Sequence, residues 1–290
     1  MGRDKLVPPC DSYRTLRTLL DGLTFRAVNK RICVLITSFS IVAFDAVDIR
    51  AESIVVAEDD ASHSNYGGQW DNSKNGGSGF GNWSLTVEGN EAERHAGFFV
   101  ATTKNNPDLN GISKDDKAFG TFANGTGFEQ AVAYRPFDKP LQPGDSFSFM
   151  MENGPFEKKY GTDDSTPGSI GLALRTSNAN TSVADYNKDA VFEFGYYNGK
   201  NNYQIFDGSG ADKADSGVPF TDSGISVTVT ITGPDTYDLE IQTLKDKSLT
   251  KLPGRKFSAA GSIQSFAIFN RNGERNDAYF NQFQVARPSN

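Results

Sequence analysis

The sequence has few of the residues on which metal and nucleophilic chemistry depend. It contains two cysteines, Cys10 and Cys33, and both lie within the first 33 residues. The remainder of the chain therefore has neither a thiolate metal ligand nor a disulfide. His63 and His95 are the only histidines, which excludes a zinc site built on several histidines and disfavours a Ser-His-Asp triad.

Long apolar runs are also lacking. The mainly apolar stretch from Ile32 to Phe44 has thirteen residues, which is too short to span a bilayer comfortably. Lys30 and Arg31 precede it, and the composition changes after Ala51, as is typical of a secretory signal peptide. We predict that residues 1–51 are an extended N-terminus plus signal peptide and that the protein is secreted, periplasmic or extracellular. A buried core helix is the alternative for the apolar stretch.

Basic residues are fewer than acidic residues in this sequence. The whole chain has a net charge of −7, and residues 52–290 contain 21 Lys and Arg against 31 Asp and Glu, a net charge near −10. Such a chain repels nucleic acid phosphates and anionic membranes, because both attract proteins through Lys and Arg. We expect no nucleic acid partner and no stable membrane insertion after signal cleavage, whereas divalent cations are compatible with this charge.

Aromatic residues and glycine are abundant, with 22 Phe, 10 Tyr and 29 Gly, a composition typical of strands and tight turns. The segment "ISVTVTITGPDTYDLEIQTL" alternates apolar and polar residues on both sides of the turn "GPDT". This pattern predicts a β-hairpin with one buried face. The predicted inward residues are Ile225, Val227, Val229, Ile231, Tyr237, Leu239 and Ile241.

The same alternation recurs from residue 53 to residue 286 and predicts about thirteen short strands. In "DSFSFMME" it places Phe147, Phe149 and Met151 inward, and in "SIGLALR" it places Ile170, Leu172 and Leu174 inward. Two packed antiparallel sheets bury such faces in a single core. We therefore predict an all-β fold, a two-sheet antiparallel jelly-roll sandwich formed by residues 52–290 as a single domain.

The segments "VTVTITGPDTYDLEI" and "NDAYFNQFQV" together resemble the concanavalin A-like and laminin G-like sandwiches of secreted bacterial proteins. The segment "YGGQWDNSKNGGSGFGNW" also looks like a recurring module of exported bacterial proteins. These superfamilies include lectins, carbohydrate-binding modules and glucanases, so the resemblance implies a fold more than a function.

The glycine-rich segment 65–83 is the first candidate for ligand binding. Tyr66 or Trp70 would present a flat ring to the apolar side of a sugar while nearby asparagines bond its hydroxyls. The alternative is an ordered loop in which Trp70, Phe80 and Trp83 pack into one end of the sandwich, with glycines permitting the tight turns.

The segment "FGYYNGKNNYQIFDG" is the second candidate. Tyr196, Tyr197, Asn198 and Asn201 cluster around a predicted hairpin turn and would form an exposed platform for a ligand. The alternative is that Asn198 and Gly199 simply make the turn, because Asn-Gly is a strong hairpin signal.

Catalytic candidates are weak. Retaining glucanases of this fold place two carboxylates on one face of a strand. Glu193 shares its strand face with Val191, Gly195 and Tyr197 but with no second acid, and Glu152 stands alone. This pair is the basis for a glycoside hydrolase as an alternative function.

A structural calcium ion is the predicted cofactor. Asp59 and Asp60 end the first predicted strand, while Asp277 and Asn281 lie in the last one, and first and last strands of jelly rolls often neighbour each other. Their oxygens suit Ca²⁺. The resemblance to carbohydrate-binding jelly rolls implies an acidic residue in a motif similar to "YFDN", where this chain has Asn281. Solvated loop acids are the alternative.

These patterns predict an exported, non-catalytic binding module whose partner is a glycan or the extracellular matrix. The alternatives are a secreted glycoside hydrolase of jelly-roll fold and a structural protein of the cell envelope or of adhesion.

Overall fold

A computed structural model describes residues 52–89, 95–124, 127–156, 167–178, 186–273 and 277–289. The predicted signal peptide lies outside the described residues. The strands belong to the compact unit formed by Ile49–Asn290. In the part of the chain that the structure describes there are fifteen strands: β1 Ser53–Asp59, β2 Ser84–Gly89, β3 Ala96–Thr102, β4 Lys117–Ala123, β5 Glu129–Leu141, β6 Ser146–Asn153, β7 Ser169–Arg175, β8 Ala190–Tyr197, β9 Asn202–Phe206, β10 Asp215–Pro219, β11 Ile225–Ile231, β12 Thr236–Thr243, β13 Leu249–Lys256, β14 Ile263–Arg271 and β15 Ala278–Pro288.

The strands form two antiparallel sheets. One sheet has eight strands in the order β13-β12-β11-β6-β15-β4-β3, with β1 also paired to β15. The other has seven strands in the order β10-β9-β8-β7-β14-β5-β2. The predicted all-β, two-sheet antiparallel jelly-roll sandwich is therefore confirmed. Within the described ranges, helix is confined to short 3₁₀ turns such as Ser64–Tyr66, and none of them has the length and apolarity needed to cross a bilayer.

Alternation along the strands explains the core between the sheets. In the hairpin β11–β12, Val229 lies opposite Leu239 and Val227 opposite Ile241, and all four side chains are buried. Burial of such side chains removes apolar surface from water and is the main favourable term in folding. The predicted inward residues are confirmed as buried: Phe147, Phe149, Met151, Ile170, Leu172, Leu174, Ile225, Ile231 and Tyr237.

Strand β15 changes its partner along its length. Ala278–Phe280 pairs with β4, whereas Phe283–Pro288 pairs with β1 on the same edge. The register against β6 shifts between Asn281 and Gln284, and Gln282 has a positive φ of 52°. This β-bulge locally disrupts the ladder and bends the strand.

The outer face of the seven-stranded sheet is less exposed to solvent than the alternation of apolar and polar residues predicts. Strand β7 is buried along its whole length, although its outward positions include the small residues Gly171 and Ala173. Phe269 lies beside Gly171 and Glu193 beside Ala173. Because larger neighbours flank these small residues, the outer face carries a second layer of packed side chains.

Candidate functional site

The glycine-rich segment 65–83 closes the gap between the edges of the two sheets. Ser78 exchanges two backbone hydrogen bonds with Glu58 at the end of β1, of 3.0 and 2.8 Å, and Phe80 forms a bridge with Phe137 on β5. Gly77 has a φ of 72°, and a Cβ on it would lie 2.2 Å from the carbonyl oxygen of Glu58. Glycine is required there because the loop crosses β1 in close contact.

A buried polar cluster fixes this loop to both sheets. The Arg135 side chain on β5, only 1% exposed, pairs with the carboxylate of Asp59 on β1. It also donates to the carbonyl oxygens of Gly76 at 2.7 Å and of Gly81 at 3.0 Å. Its guanidinium carbon lies 4.7 Å from the centroid of the Trp83 ring. Buried charges need a partner and hydrogen bonds, and here the bonds to Asp59 converge on Oδ2, whereas its buried Oδ1 has no hydrogen-bond partner among the described residues.

Tyr66 and Trp70 lie inside the core and are not exposed to a ligand. The Tyr66 hydroxyl donates to Asp59 Oδ2 at 2.5 Å and accepts from Trp83 Nε1 at 2.9 Å. The Trp70 side chain is 3% exposed and packs on Phe119 with ring centroids 4.7 Å apart. A sugar platform needs an exposed ring face, so the alternative of an ordered, packed loop fits these two residues.

The asparagines of the loop are also engaged with the backbone. Asn72 accepts from Leu85 N at 2.6 Å and donates to Leu85 O at 3.1 Å, as a neighbouring strand would. Asn75 accepts from Trp83 N at 2.5 Å. These side chains order the loop and the start of β2 rather than face a ligand.

The predicted calcium ligands are used elsewhere. Asp59 neutralises Arg135, and Asp60 pairs with Lys114 Nζ at 2.9 Å. Burial raises the pKa of Asp277, which accepts a hydrogen bond from the Tyr279 hydroxyl. Among the described residues, no group of three or more His, Cys, Asp or Glu side chains could hold a metal ion. The arrangement does not fit a calcium site built on these residues.

Asn281 has a structural position at the point where β15 changes partner. Its Oδ1 accepts from Ala61 N at 3.0 Å, and its Nδ2 donates to Ile112 O and Lys117 O, both at 2.9 Å. The side chain is fully buried. A neutral amide meets this mixture of one donor and two acceptors, whereas a carboxylate could not donate to the two carbonyls.

Aromatic side chains from separate parts of the sequence lie together on the outer face of the seven-stranded sheet. Phe269 packs on Tyr186, which follows β7, with centroids 4.5 Å apart, and Arg271 lies 5.4 Å from the centroid of Tyr186. We call this set of side chains the outer aromatic face: Tyr134, Tyr186, Tyr197, Phe206 and Phe269.

Glu193 lies at the edge of this face. The Tyr197 hydroxyl donates to Glu193 Oε1, and its ring reaches along the strand past Gly195, which has no side chain to block it. Burial raises the pKa of Glu193, although the Tyr197 hydrogen bond and the charge of Arg271 oppose this rise. The carboxyl group is therefore held in a fixed position beside the aromatic rings.

Phe206 is the most accessible ring of the outer aromatic face. It lies opposite Glu193 in the β8–β9 ladder, its side chain is 48% exposed, and its centroid is 5.0 Å from that of Tyr197 with the rings nearly perpendicular. Sequence reasoning missed this residue. Its signal was present, because in "NYQIF" the inward residues are Tyr203 and Ile205, which places Phe206 outward.

The other candidates of this hairpin divide between core and solvent. Tyr196 is buried and stacks on Phe220 with centroids 4.3 Å apart, so it belongs to the core. Asn198 and Asn201 are exposed at the turn between β8 and β9, with Gly199 at a φ of 80°. Of the predicted ligand-binding residues, Tyr197, Asn198 and Asn201 therefore reach or border the outer surface.

The two weak catalytic candidates are far apart in the fold. Glu193 lies on β8 in the seven-stranded sheet, whereas Glu152 lies on β6 in the eight-stranded sheet. Glycosidases need both carboxyl groups on either side of one glycosidic bond. Glu193 faces away from the eight-stranded sheet, beside Tyr197 on the outer aromatic face, so its own sheet lies between it and Glu152 and the two do not form such a pair.

We expect Arg135→Met to lower the free energy of unfolding by about 3–5 kcal/mol, because the change leaves Asp59 buried without its partner. Denaturant unfolding followed by tryptophan fluorescence measures the loss. Lys251→Met is the control: Lys251 pairs with Glu240 at 2.6 Å on the surface, with both side chains well exposed, and we expect a change of about 0–1 kcal/mol. Equal losses in the two variants would contradict a structural role for the buried pair.

We expect a chelator such as EDTA to leave the melting temperature unchanged, because the predicted calcium ligands already pair with Arg135, Lys114 and backbone groups. A ligand that binds only the native state raises stability, so differential scanning calorimetry with and without added CaCl₂ checks this point. A fall in melting temperature on chelation, reversed by calcium, would show a bound calcium ion.

No protein-family model and no curated protein matches the sequence. The fold is similar to several solved structures: a carbohydrate esterase from the Shiga toxin-encoding bacteriophage phi24B (TM-score 0.44, 10% identity, 71% of this chain and 90% of that chain), the lumenal domain of VIP36 in its Ca²⁺- and mannose-bound form (0.41, 7%, 71% and 88%) and the lectin UEA-II with galactose (0.38, 9%, 71% and 92%).

Proposed function

We propose that this protein is an exported, non-catalytic module that binds a neutral glycan on the outer aromatic face. The observation that supports this proposal is the exposed ring of Phe206 beside the fixed carboxyl group of Glu193. An aromatic ring covers the apolar side of a pyranose, and a few well-placed polar groups orient its hydroxyls.

The composition of the face suits this role. Phe206 has an accessible ring, and the Tyr197 ring packs edge-on against it and holds it in place. Glu193 accepts hydrogen bonds, and Asn198 and Asn201 offer amide groups at the adjoining turn. Rigid aromatic rings lose little conformational entropy on binding, which is a reason for their frequency at binding surfaces.

The charge of the chain favours a neutral ligand. Residues 52–290 have a net charge near −10, so an acidic polysaccharide would meet overall repulsion. This negative charge also favours a neutral glycan over an acidic component of the extracellular matrix as the ligand. Export is part of the proposal because residues 30–51 have the charge and apolar pattern of a secretory signal peptide.

A hydrolase is the second candidate, because the raised pKa of Glu193 is the kind of shift that occurs at catalytic acids. Two carboxyl groups are needed for that chemistry, and Glu152 cannot be the partner. We therefore place Glu193 among the binding groups, which predicts that the protein releases no reducing sugar from a glycan that it retains.

We expect Phe206→Ala to weaken binding to a retained polysaccharide about tenfold, equivalent to ~1.4 kcal/mol, because the change removes the apolar surface on which the sugar ring would rest. Affinity gel electrophoresis against soluble xyloglucan, galactomannan and mixed-linkage β-glucan measures the effect. Leu249→Ala is the matched control, since Leu249 is also 48% exposed but lies on β13 in the other sheet.

Two results would contradict the proposal. One is that none of these polysaccharides retards the wild-type protein, which would favour a structural role in the cell envelope or in adhesion. The other is equal retention of the wild type and of Phe206→Ala. Reducing-sugar release that disappears in Glu193→Gln would instead establish the hydrolase.

A further inference from the structure

A polar cavity of about 170 Å³ lies on the opposite side of the molecule, on the outer face of the eight-stranded sheet. It is located at the β15 bulge, beside the segment that carries Ile112 and Lys114. This segment is anchored to the sheet through a small outer core that includes Leu109, Ile112 and Tyr279. Its lining includes Glu58, Asp60, Lys114, Ser148, Met150, Ser226 and the bulge residues Gln282–Gln284. The buried Phe149 and Asp59 also border it, and Asp59 is already paired with Arg135.

The walls of the cavity are held by hydrogen bonds. Gln282 Nε2 donates to Ile112 O at 3.2 Å, and Lys114 pairs with Asp60 across the rim. Asp60 is fixed further by Ser62, whose backbone N donates to it at 2.8 Å. A site whose walls are already ordered avoids part of the entropy cost of binding.

The floor of the cavity presents polar groups that have no side-chain partner in the described parts of the chain. On the outer surface Ser148 lies between Gln284 on β15 and Thr228 on β11, whereas Ser226 lies two residues further along β11, opposite Met150. Neither serine hydroxyl nor the Gln284 amide is bonded to another side chain there. Met150, half-buried, adds an apolar patch among them.

From this arrangement we infer a second binding site, for a single neutral sugar ring. Hydroxyl and amide groups can each donate and accept, as the hydroxyls of a sugar require, and Met150 faces its apolar side. Two carboxylates against one ammonium disfavour an anionic ligand. The volume admits one small ring but not an oligosaccharide, so the site is expected to hold a terminal or free sugar.

This inference does not depend on the outer aromatic face, because the two surfaces belong to different sheets. Combined with the glycan site proposed on the outer aromatic face, on which this point rests, it gives a protein with sugar-binding sites on both sheets. Such a module can link two glycan chains, and simultaneous engagement of both sites raises the overall avidity.

Titration of the ¹⁵N-labelled full-length protein with glucose, mannose, galactose or N-acetylglucosamine tests the site by NMR. We expect at least one of these sugars to cause saturable shifts of the amides of Ser148, Ser226 and Gln284, with a dissociation constant on the order of 1 mM. Absence of saturable shifts at these amides with all four sugars overturns the inference, as do shifts confined to Tyr197 and Phe206.

Variants separate the cavity from the rest of the surface. We expect Ser226→Met, which fills the cavity, to abolish the shifts, and Gln284→Ala, a smaller change, to weaken binding several-fold. Thr230→Met is the matched control on the same face of β11, opposite Ser146 and outside the cavity lining, and should bind as the wild type does. Unchanged binding in folded Ser226→Met and Gln284→Ala overturns the inference. Phe206→Ala should leave this titration unchanged, so failure here is distinguishable from failure of the proposed function.

Discussion

The ion pair between Arg135 and Asp59 is the interaction on which this sandwich depends most. It joins β5 of one sheet to β1 of the other, and it lies where the glycine-rich loop crosses from sheet to sheet. Tyr66 and Trp83 bond to the same carboxylate, so the loop, both sheets and the aromatic core share one polar centre. Burial raises the pKa of Asp59 despite the opposing charge of Arg135, which reflects how completely the pair is removed from water.

The fold was predictable because its main determinant is local. Alternation in segments such as Ile225–Ile231 reports which side of a strand is apolar, and a strand has only two sides. The order of most strands was not predictable, because pairings such as that of β5 with β14 join residues more than 120 positions apart. The pairing of β1 with β15 is the exception, since first and last strands of jelly rolls often neighbour each other. The burial of Arg135 was not predictable either, because in "QAVAYR" the larger apolar residues Val132 and Tyr134 lie on the outer face and Arg135 follows the small residues on the inner one.

The candidate site was less predictable, because the solvent exposure of a side chain depends on neighbours that are far away in the sequence. Trp70 and Phe206 are both aromatic residues in segments rich in polar residues, yet Trp70 packs against Phe119 while Phe206 faces solvent. Only the placement of other strands distinguishes them. Asn281 likewise resembled a metal ligand in sequence, whereas the change of partner along β15 surrounds its amide with one backbone N–H and two carbonyl groups.

The pairing of β1 with β15 has a consequence for biosynthesis. Ser53–Asp59 leaves the ribosome before its ladder partner Ala278–Pro288 is made, because more than two hundred residues separate the two strands. The eight-stranded sheet therefore cannot close during translation, and contacts of such long sequence separation form slowly. We therefore expect the ladder between β1 and β15 to be among the last parts of the eight-stranded sheet to form.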